Sequence, residues 1–348
     1  MIEDPNPQRT PLSELGEFGL IERLTADLVP VHASTVVGVG DDAAVLRPDA
    51  EQDLLVSTDL LVEGVHFDLA YVPLQHLGYK AAVVNFSDMY AMGGTPTQLT
   101  VGLAVSSRFP VEALDEVYAG LRRACAQYGV DLVGGDTTSS PSGLTLAVTV
   151  LGQVAKGGAI RRSGAQATDL IVVSGDLGGA YMGLQVLERE KATFLANPNL
   201  QPDLSEYQYP IERQLKPEAR KDIVELLKEL DVTPTSMMDV SDGLSSELLH
   251  LTNASGLGCV VFEDKLPIDP AVLRTCEEFG IHPVTAVMNG GEDYELVFTV
   301  SLADYDKIKG NPSMTPIGHM TASDGAYLVN QGGTHVPLTA QGWKAFSA

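Results

Sequence analysis

The chain has 348 residues, which is more than one hydrophobic core usually serves, so we expect two domains. With 22 Lys and Arg against 46 Asp and Glu, the net charge of -24 argues against sequence-independent binding of nucleic acid or of an anionic membrane. Hydrophobic residues make up 44% and charged residues 20%, which is typical of a folded enzyme and excludes a disordered chain.

The three cysteines are far apart in the sequence and match neither a disulfide framework nor a zinc motif. No basic-then-apolar signal opens the chain, and no apolar run reaches the roughly 18 residues that a membrane span needs. We therefore expect a cytoplasmic protein that does not bind a membrane.

The first half of the chain is predicted to be rich in strands. In chain order, the predicted elements are a helix at 17–24, strands at 35–39 and 54–57, a buried helix at 74–92, a strand at 99–105, an amphipathic helix at 111–128 that ends at Gly129, and a β-rich run at 144–154. A glycine-rich turn follows, so we place the first domain at 1–155.

The second domain, 156–348, is predicted to alternate strands with helices, which indicates an α/β or α+β fold. Its predicted elements are a strand at 169–175, helices at 178–190 and 217–230, and strands at 258–262 and 294–300. The polar, proline-containing stretch 191–217 is expected to be a long connection.

One set of acidic residues lies at the ends of apolar strands or inside an apolar helix, beside Gly, Ser or Thr. These residues are Asp41 and Asp42 in GVGDDAAVL, Asp59 in STD, Asp88 in NFSDMYAMGG, Asp136 in LVGGD, Asp239 and Asp242 in DVSDGL, and Glu292 in GGEDYEL. Each motif alone has a structural alternative, such as a tight turn, a helix N-cap or, for Asp88, a buried salt bridge to Lys80. Converging oxygen donors would instead hold Mg²⁺.

Several divalent cations held in this way would let a strongly acidic protein bind a polyphosphate and transfer a phosphoryl group. Arg161 and Arg162 are candidate phosphate ligands, with a surface pair as the alternative. His66 follows the STD motif, where a structural histidine is the alternative. The sequence contains no P-loop and no protein-kinase motif set, so neither of those ATP-binding classes applies.

Eight segments, in this order, resemble the thiamine-monophosphate kinase family: GEF at 16–18, GVGDDAAVL, STDLLVEGVHF, NFSDMYAMGG, LVGGDTT, RRSG, DVSDGL and GGEDYEL. The resemblance implies Mg²⁺-dependent transfer of the ATP γ-phosphoryl group to thiamine monophosphate. It also implies a homodimer whose ATP- and Mg²⁺-binding first domains pair into a β-barrel, and an α/β second domain. Another ATP-dependent synthetase of the same superfamily and a non-catalytic acidic cation-binding protein are the alternatives.

The resemblance also implies a role for individual residues. The implied magnesium ligands are Asp42, Ser57, Thr58, Asp59, Asp88, Asp136, Asp239 and Asp242, of which we assign catalysis to Asp42, Asp88, Asp136 and Asp242. The implied ATP contacts are Asp42, Thr58, Tyr118, Gly135, Asp136, Arg162 and Ser241, and the implied substrate contacts are His66, Glu292 and Trp343. Because the acceptor phosphate is already anionic, no residue is assigned as a proton acceptor.

Overall fold

The computed structural model describes residues 10–39, 44–199 and 203–341. The chain divides into two compact units, and the first contains the described residues up to Met89 together with Gly94–Gly157. The second contains Tyr90–Gly93 and the described residues from Gly158 onwards. Each unit combines a sheet with helices, which confirms the expected mixed α/β class. None of the described helices is both long enough and apolar enough to cross a membrane.

The first unit is built on a four-stranded sheet in the order β3-β6-β4-β5, in which only the β4–β5 pair is parallel. A two-stranded sheet, β1-β2, accompanies it. The elements are α1 (Leu12–Thr25), β1 (Thr35–Val37), β2 (Val45–Leu46), β3 (Gln52–Val62), α2 (Leu74–Ala91), β4 (Thr95–Val105), α3 (Val111–Tyr128), β5 (Asp131–Ser139) and β6 (Leu144–Ala155).

Helix α3 has the bounds predicted from its amphipathic pattern, because a glycine stops it. Gly129 adopts a left-handed conformation with φ 71°, and its N–H donates to the Cys125 carbonyl. Helix α2 lies beside α3, and the Phe86 and Tyr128 rings are 5.4 Å apart. The apolar character of α2 on all sides is explained by this buried position, since Phe86 is 0% exposed.

The two faces of the four-stranded sheet differ. Alternate residues of β6, from Leu144 to Val154, are buried, whereas the residues between them are half-buried. On β3, the side chains of Leu54, Val56 and Leu60 are 47%, 60% and 56% exposed. Strands β3 and β5 form the edges, so within the described part of one chain the sheet does not close into a barrel.

The second unit contains a seven-stranded sheet in the order β13-β12-β9-β11-β7-β10-β8, in which only the β12–β9 pair is parallel. Its elements are β7 (Leu170–Ser174), α4 (Gly179–Ala196), α5 (Gln208–Leu215), α6 (Lys221–Glu229), β8 (Ser236–Asp239), α7 (Leu244–Ser255), β9 (Gly258–Phe262), α8 (Pro270–Phe279), α9 (Pro283–Asn289), β10 (Leu296–Val300), α10 (Tyr305–Ile308), β11 (Met314–Thr321), β12 (Ala326–Val329) and β13 (His335–Pro337).

The expectation that 191–217 is only a connection is wrong. Helix α4 continues to Ala196, and α5 occupies Gln208–Leu215. Pro210 misled the sequence interpretation because proline usually ends helices, but it lies in the first turn of α5. An N–H group in that turn has no helical partner, so proline is tolerated there.

Candidate functional site

In the first unit, a hydroxyl and two carboxylates lie together where β3 faces α2. Ser57 Oγ donates a hydrogen bond of 2.5 Å to Asp88 Oδ2. Asp59 lies two residues further along the same face of β3. Burial, together with the charge of Asp88, raises the pKa of Asp59 to about 6. The two carboxylates therefore resist simultaneous ionisation in the absence of a cation.

This donor set fits magnesium. It is composed entirely of oxygen atoms, and a divalent cation would remove the repulsion that raises the Asp59 pKa. Among the described residues, no three Asp, Glu, His or Cys side chains are gathered as a metal site. Asp59 and Asp88, with the Ser57 hydroxyl beside them, are the residues of this group that would hold a magnesium ion, which would supply positive charge there.

The hydroxyl of Thr58 lies on the opposite face of β3. Its Oγ1 is 2.8 Å from Oγ1 of Thr149 on β6, and the residue is exposed. Because side chains alternate along a strand, the hydroxyls of Ser57 and Thr58 cannot both face Asp88. The structure brings Ser57, Asp59 and Asp88 together and places the Thr58 side chain elsewhere.

Gly135 and Asp136 lie on β5, at the other edge of the sheet, and both are exposed. Across the sheet, Asp59 on β3 pairs with Val148 on β6, which pairs with Val101 on β4, which in turn pairs with Gly135 on β5. Three strand spacings, roughly 14 Å, separate these two backbones. Asp136 is therefore not in direct contact with Asp59 within one chain.

The two other predicted contacts in this unit differ in exposure. Tyr118 on α3 is 6% exposed, and burial raises the pKa of its phenol to about 12. His66 is exposed in the turn after β3, where its Nδ1 accepts from the Val62 N–H at 3.1 Å. This bond fits the structural alternative for His66.

In the second unit, the DVSDGL motif forms the turn between β8 and α7. Asp239 ends β8 and is 6% exposed, while Ser241 and Asp242 are half-buried. Burial raises the pKa of Asp242, the charges of His250 and Arg162 oppose the rise, and the charge of Glu292 adds to it. Asp242 and Glu292 therefore influence each other electrostatically.

The GGEDYEL motif crosses the same turn. The Glu292 N–H donates to the Ser241 carbonyl at 2.7 Å, and Gln214 Nε2 on α5 donates to Glu292 Oε2 at 2.7 Å. Glu292 and Tyr294 have φ values of 70° and 52°, which non-glycine residues rarely adopt. Strand β10 consequently starts at Leu296 rather than at the predicted 294, because a left-handed residue cannot continue a strand.

The neighbouring acidic residues of that motif have structural partners. The Asp293 carboxylate accepts from the N–H groups of Gly178 and Ala180 at 2.6 and 3.0 Å and so caps α4. Glu295 is 1% exposed and binds Ser174, Arg213 and Arg220.

Sequence reasoning missed Glu247, which organises the DVSDGL turn. Its Oε1 accepts from the N–H groups of Asp242 and Ser241 at 2.9 and 3.3 Å, whereas its buried Oε2 has no hydrogen-bond partner among the described residues. Burial, together with the charges of Asp242 and Asp239, raises the pKa of Glu247 to about 8. No capping-box spacing marks this residue in the sequence, because Glu247 lies five positions after Asp242 and six after Ser241 rather than three.

Two of the predicted site residues, Asp42 and Trp343, lie outside the described residues. Arg161 and Arg162 are exposed in the second unit. This exposure agrees with the surface-pair alternative for the two arginines.

Residues 40–154 match the family model described as AIR synthase related protein, N-terminal domain. The chain is 34% identical to the thiamine-monophosphate kinase of Aquifex aeolicus over 338 residues, which is 96% of this chain and 99% of that protein. It is 38% identical to the thiamine-monophosphate kinase of Synechococcus elongatus over 327 residues, covering 90% and 93% of the two chains.

Solved structures agree with these sequence matches. The thiamine-monophosphate kinase of Stenotrophomonas maltophilia superposes with a TM-score of 0.77 at 32% identity, covering 90% of this chain and 96% of that one. A structure described as AaThiL complexed with AMPPCP and TMP gives a TM-score of 0.74 at 31% identity, covering 99% and 100%. The hydrogenase maturation protein HypE of Escherichia coli, at 20% identity and a TM-score of 0.71 over 94% and 97%, shares the fold.

Proposed function

Because the chain belongs to the thiamine-monophosphate kinase family, we propose that it transfers the γ-phosphoryl group of ATP to thiamine monophosphate, giving thiamine diphosphate and ADP. The observation that carries this proposal is the group formed by Ser57, Asp59 and Asp88, which is built from the oxygen donors that magnesium-bound phosphates require. ATP and thiamine monophosphate are the two substrates, and ATP supply favours a cytoplasmic location.

The chain's own residues have mainly a positioning task. The phosphate of thiamine monophosphate is anionic and attacks without a strong general base, so the barrier lies in holding two anionic groups in line. Asp59 and Asp88, with Ser57, would hold Mg²⁺ in the first unit, and Asp42 and Asp136 are proposed to extend this set. When bound, Mg²⁺ supplies the positive charge that offsets the repulsion between the phosphates.

Residues of each unit are proposed to contact ATP. In the first unit, Tyr118 and Gly135 are proposed as ATP contacts. In the second unit, Ser241 and Arg162 are proposed, because the guanidinium of Arg162 suits a phosphate. Asp239 and Asp242 are proposed as further magnesium ligands. His66, Glu292 and Trp343 are proposed to contact thiamine monophosphate, because a carboxylate and aromatic rings suit its cationic thiazolium and its aminopyrimidine.

We also propose that two copies pair through the open face of the four-stranded sheet and close it into a barrel. The large exposures of Leu54, Val56 and Leu60 support this, because an apolar face of this kind marks an interaction surface. Val56→Glu should give a monomer in analytical ultracentrifugation. Leu195→Glu is the matched control, since Leu195 is 69% exposed on α4, and it should leave the dimer intact.

The activity is tested by following thiamine diphosphate formation from thiamine monophosphate, ATP and Mg²⁺, with unphosphorylated thiamine as the control acceptor. The proposal expects product only with the phosphorylated acceptor and only with the metal. Thermal shifts separate the alternatives. A synthetase of the same superfamily would be stabilised by ATP but not by thiamine monophosphate, and a cation-binding protein would respond to Mg²⁺ alone.

A further inference from the structure

Helix α5, inside the segment whose sequence suggested a simple connection, is held firmly against α4. A Cβ atom built on Gly183 of α4 would lie 2.0 Å from the Pro210 carbonyl oxygen, so the two helices approach as closely as only glycine allows. From the same helix, Arg213 Nη1 lies 3.0 Å from the buried carboxylate of Glu295, and Arg213 Nη2 donates to the Asp176 carbonyl at 3.1 Å. The position of α5 is therefore fixed from two sides.

This packing places Gln214 directly on Glu292. Gln214 is 5% exposed, and its Nε2 donates to Glu292 Oε2 at 2.7 Å. The Glu292 backbone is held at φ 70° by its N–H bond to Ser241. Four described non-glycine residues have positive φ, and two of them, Glu292 and Tyr294, flank Asp293 in this motif. Local strain of this kind is typical of functional sites.

The chemical identity of the donor matters for this contact. A lysine or arginine at 214 would orient the Glu292 carboxylate but would also neutralise it. The glutamine amide is uncharged, so it fixes the orientation of the carboxylate and leaves the negative charge available to a cationic ligand.

We propose that Gln214 is a positioning residue that determines how well the enzyme recognises its cationic substrate. By holding the Glu292 carboxylate in one orientation, it prepares that group for the thiazolium-containing acceptor. This inference rests on the proposed function, because it takes Glu292 as a contact of thiamine monophosphate. It extends that function to a residue of a different helix that does not itself contact the acceptor.

The first test is Gln214→Leu, which keeps much of the side-chain volume and removes the donor. We expect the KM for thiamine monophosphate to rise about tenfold, the order expected for losing one hydrogen bond to a charged group. The KM for ATP and kcat at saturating acceptor should stay within about twofold of wild type. Calorimetric titration with thiamine monophosphate should show the same loss of affinity. Glu212→Gln is the matched control, because Glu212 lies on the same helix with 65% side-chain exposure, and it should behave as wild type.

The second test is Gln214→Glu, which gives a readout that a purely structural role would not produce. Two facing carboxylates resist joint ionisation, so they share a proton at low pH and repel each other at high pH. The ratio of variant to wild-type KM for thiamine monophosphate should therefore increase between pH 5 and pH 8, while the corresponding ratio for ATP stays flat.

Three outcomes would overturn the inference: a wild-type KM for thiamine monophosphate in Gln214→Leu, a loss confined to kcat, or a pH-independent ratio in Gln214→Glu. If Gln214→Leu fails to fold by circular dichroism, Gln214→Glu and the shorter Gln214→Asn decide the question. A wild-type protein that does not phosphorylate thiamine monophosphate would refute the proposed function instead, so the two failures are distinguishable.

Discussion

Replacing Asp88 with Asn should make the metal-free protein slightly more stable while removing most of its activity. Asn preserves the shape of Asp88 and can still accept the hydrogen bond from Ser57. It removes the negative charge that, together with burial, raises the pKa of Asp59 to about 6. A residue retained for a cation should show this opposition between stability and activity.

The magnitude follows from the Asp59 pKa. A rise from 3.8 to about 6 is roughly 2 units, or about 3 kcal/mol at 1.36 kcal/mol per unit. Burial is the larger cause of this rise and the Asp88 charge is the smaller, so the Asp88 charge accounts for less than half of this free energy. Because Asp59 is partly exposed, solvent screening reduces that share to about 1 kcal/mol. The variant should thus melt about 2–4 °C higher in EDTA at pH 8.

The pH dependence has a definite sign. Because the folded-state pKa of Asp59 is raised, the folded protein holds a proton that the unfolded chain releases between about pH 4 and pH 6. The Asp59 contribution to stability is therefore present at low pH and is lost as the pH rises through this window. The advantage of Asp88→Asn should appear above pH 6 and nearly vanish at pH 5, where Asp59 is mostly protonated.

The assay combines thermal unfolding at pH 5 and pH 8, with and without Mg²⁺, with turnover of thiamine monophosphate. Mg²⁺ should stabilise wild type at pH 8 much more than Asp88→Asn. Turnover should fall at least about 100-fold, since even mutating the partners of metal ligands costs 10- to 100-fold. If Asp88 served instead as a buried ion-pair partner, for example of Lys80, the variant would lose about 3–5 kcal/mol at pH 8. A lower melting temperature at pH 8, or near wild-type turnover at saturating Mg²⁺, would refute the reasoning.

Three further substitutions follow from the second unit. Gly183→Ala should lower the free energy of unfolding, measured by chemical denaturation, by about 1–3 kcal/mol, because its Cβ would collide with Pro210 and displace α5. Wild-type stability would contradict the close approach of the two helices. Glu247→Ala should lower the free energy of unfolding by about 1–3 kcal/mol, because two N–H groups of the DVSDGL turn lose their acceptor. It should also weaken Mn²⁺ binding, measured by electron paramagnetic resonance. Glu247→Gln should retain most of the stability, and equal losses in both variants would argue against this role. Glu295→Gln should lower the free energy of unfolding by about 3–5 kcal/mol, because it leaves Arg213 and Arg220 with an uncharged buried partner. A urea unfolding midpoint close to that of wild type would show that the two arginines find other partners.

The amphipathic and buried helices could be predicted from the sequence because their signals are local. The spacing of apolar residues and the stop at Gly129 give α3 its observed bounds, and the apolar run of α2 indicates a buried helix. Helix α5 could not be predicted in this way. It is only eight residues long, contains Pro210, and is stabilised by its packing on α4 rather than by its own propensity.

The candidate site was predictable to a similar extent. The sequence identified the motifs, because an acidic residue at the end of an apolar strand is unusual. It could not separate Glu292, which lies at the proposed substrate contact, from Asp293 and Glu295, which hold helices in place. That distinction depends on the direction in which each side chain points, and therefore on the left-handed backbone at Glu292 and Tyr294. The contribution of Gln214 depends on a contact between residues 78 positions apart, which local patterns do not encode.

Side chains alternate between the two faces of the sheet along β3, and this limits how the gene can change in length. Eleven consecutive residues of β3 pair with β6, and odd-numbered positions carry Ser57 and Asp59 while even-numbered positions carry Leu54, Val56 and Leu60. Deleting or inserting one codon upstream of Ser57 within the strand would exchange the two faces, turning the acidic groups outwards and the leucines towards Asp88. Such an event would disrupt the proposed magnesium site and the proposed self-association surface together, whereas a change of two codons would keep each side chain on its present face. We therefore expect natural length variation to avoid this strand and to accumulate in the turns outside it.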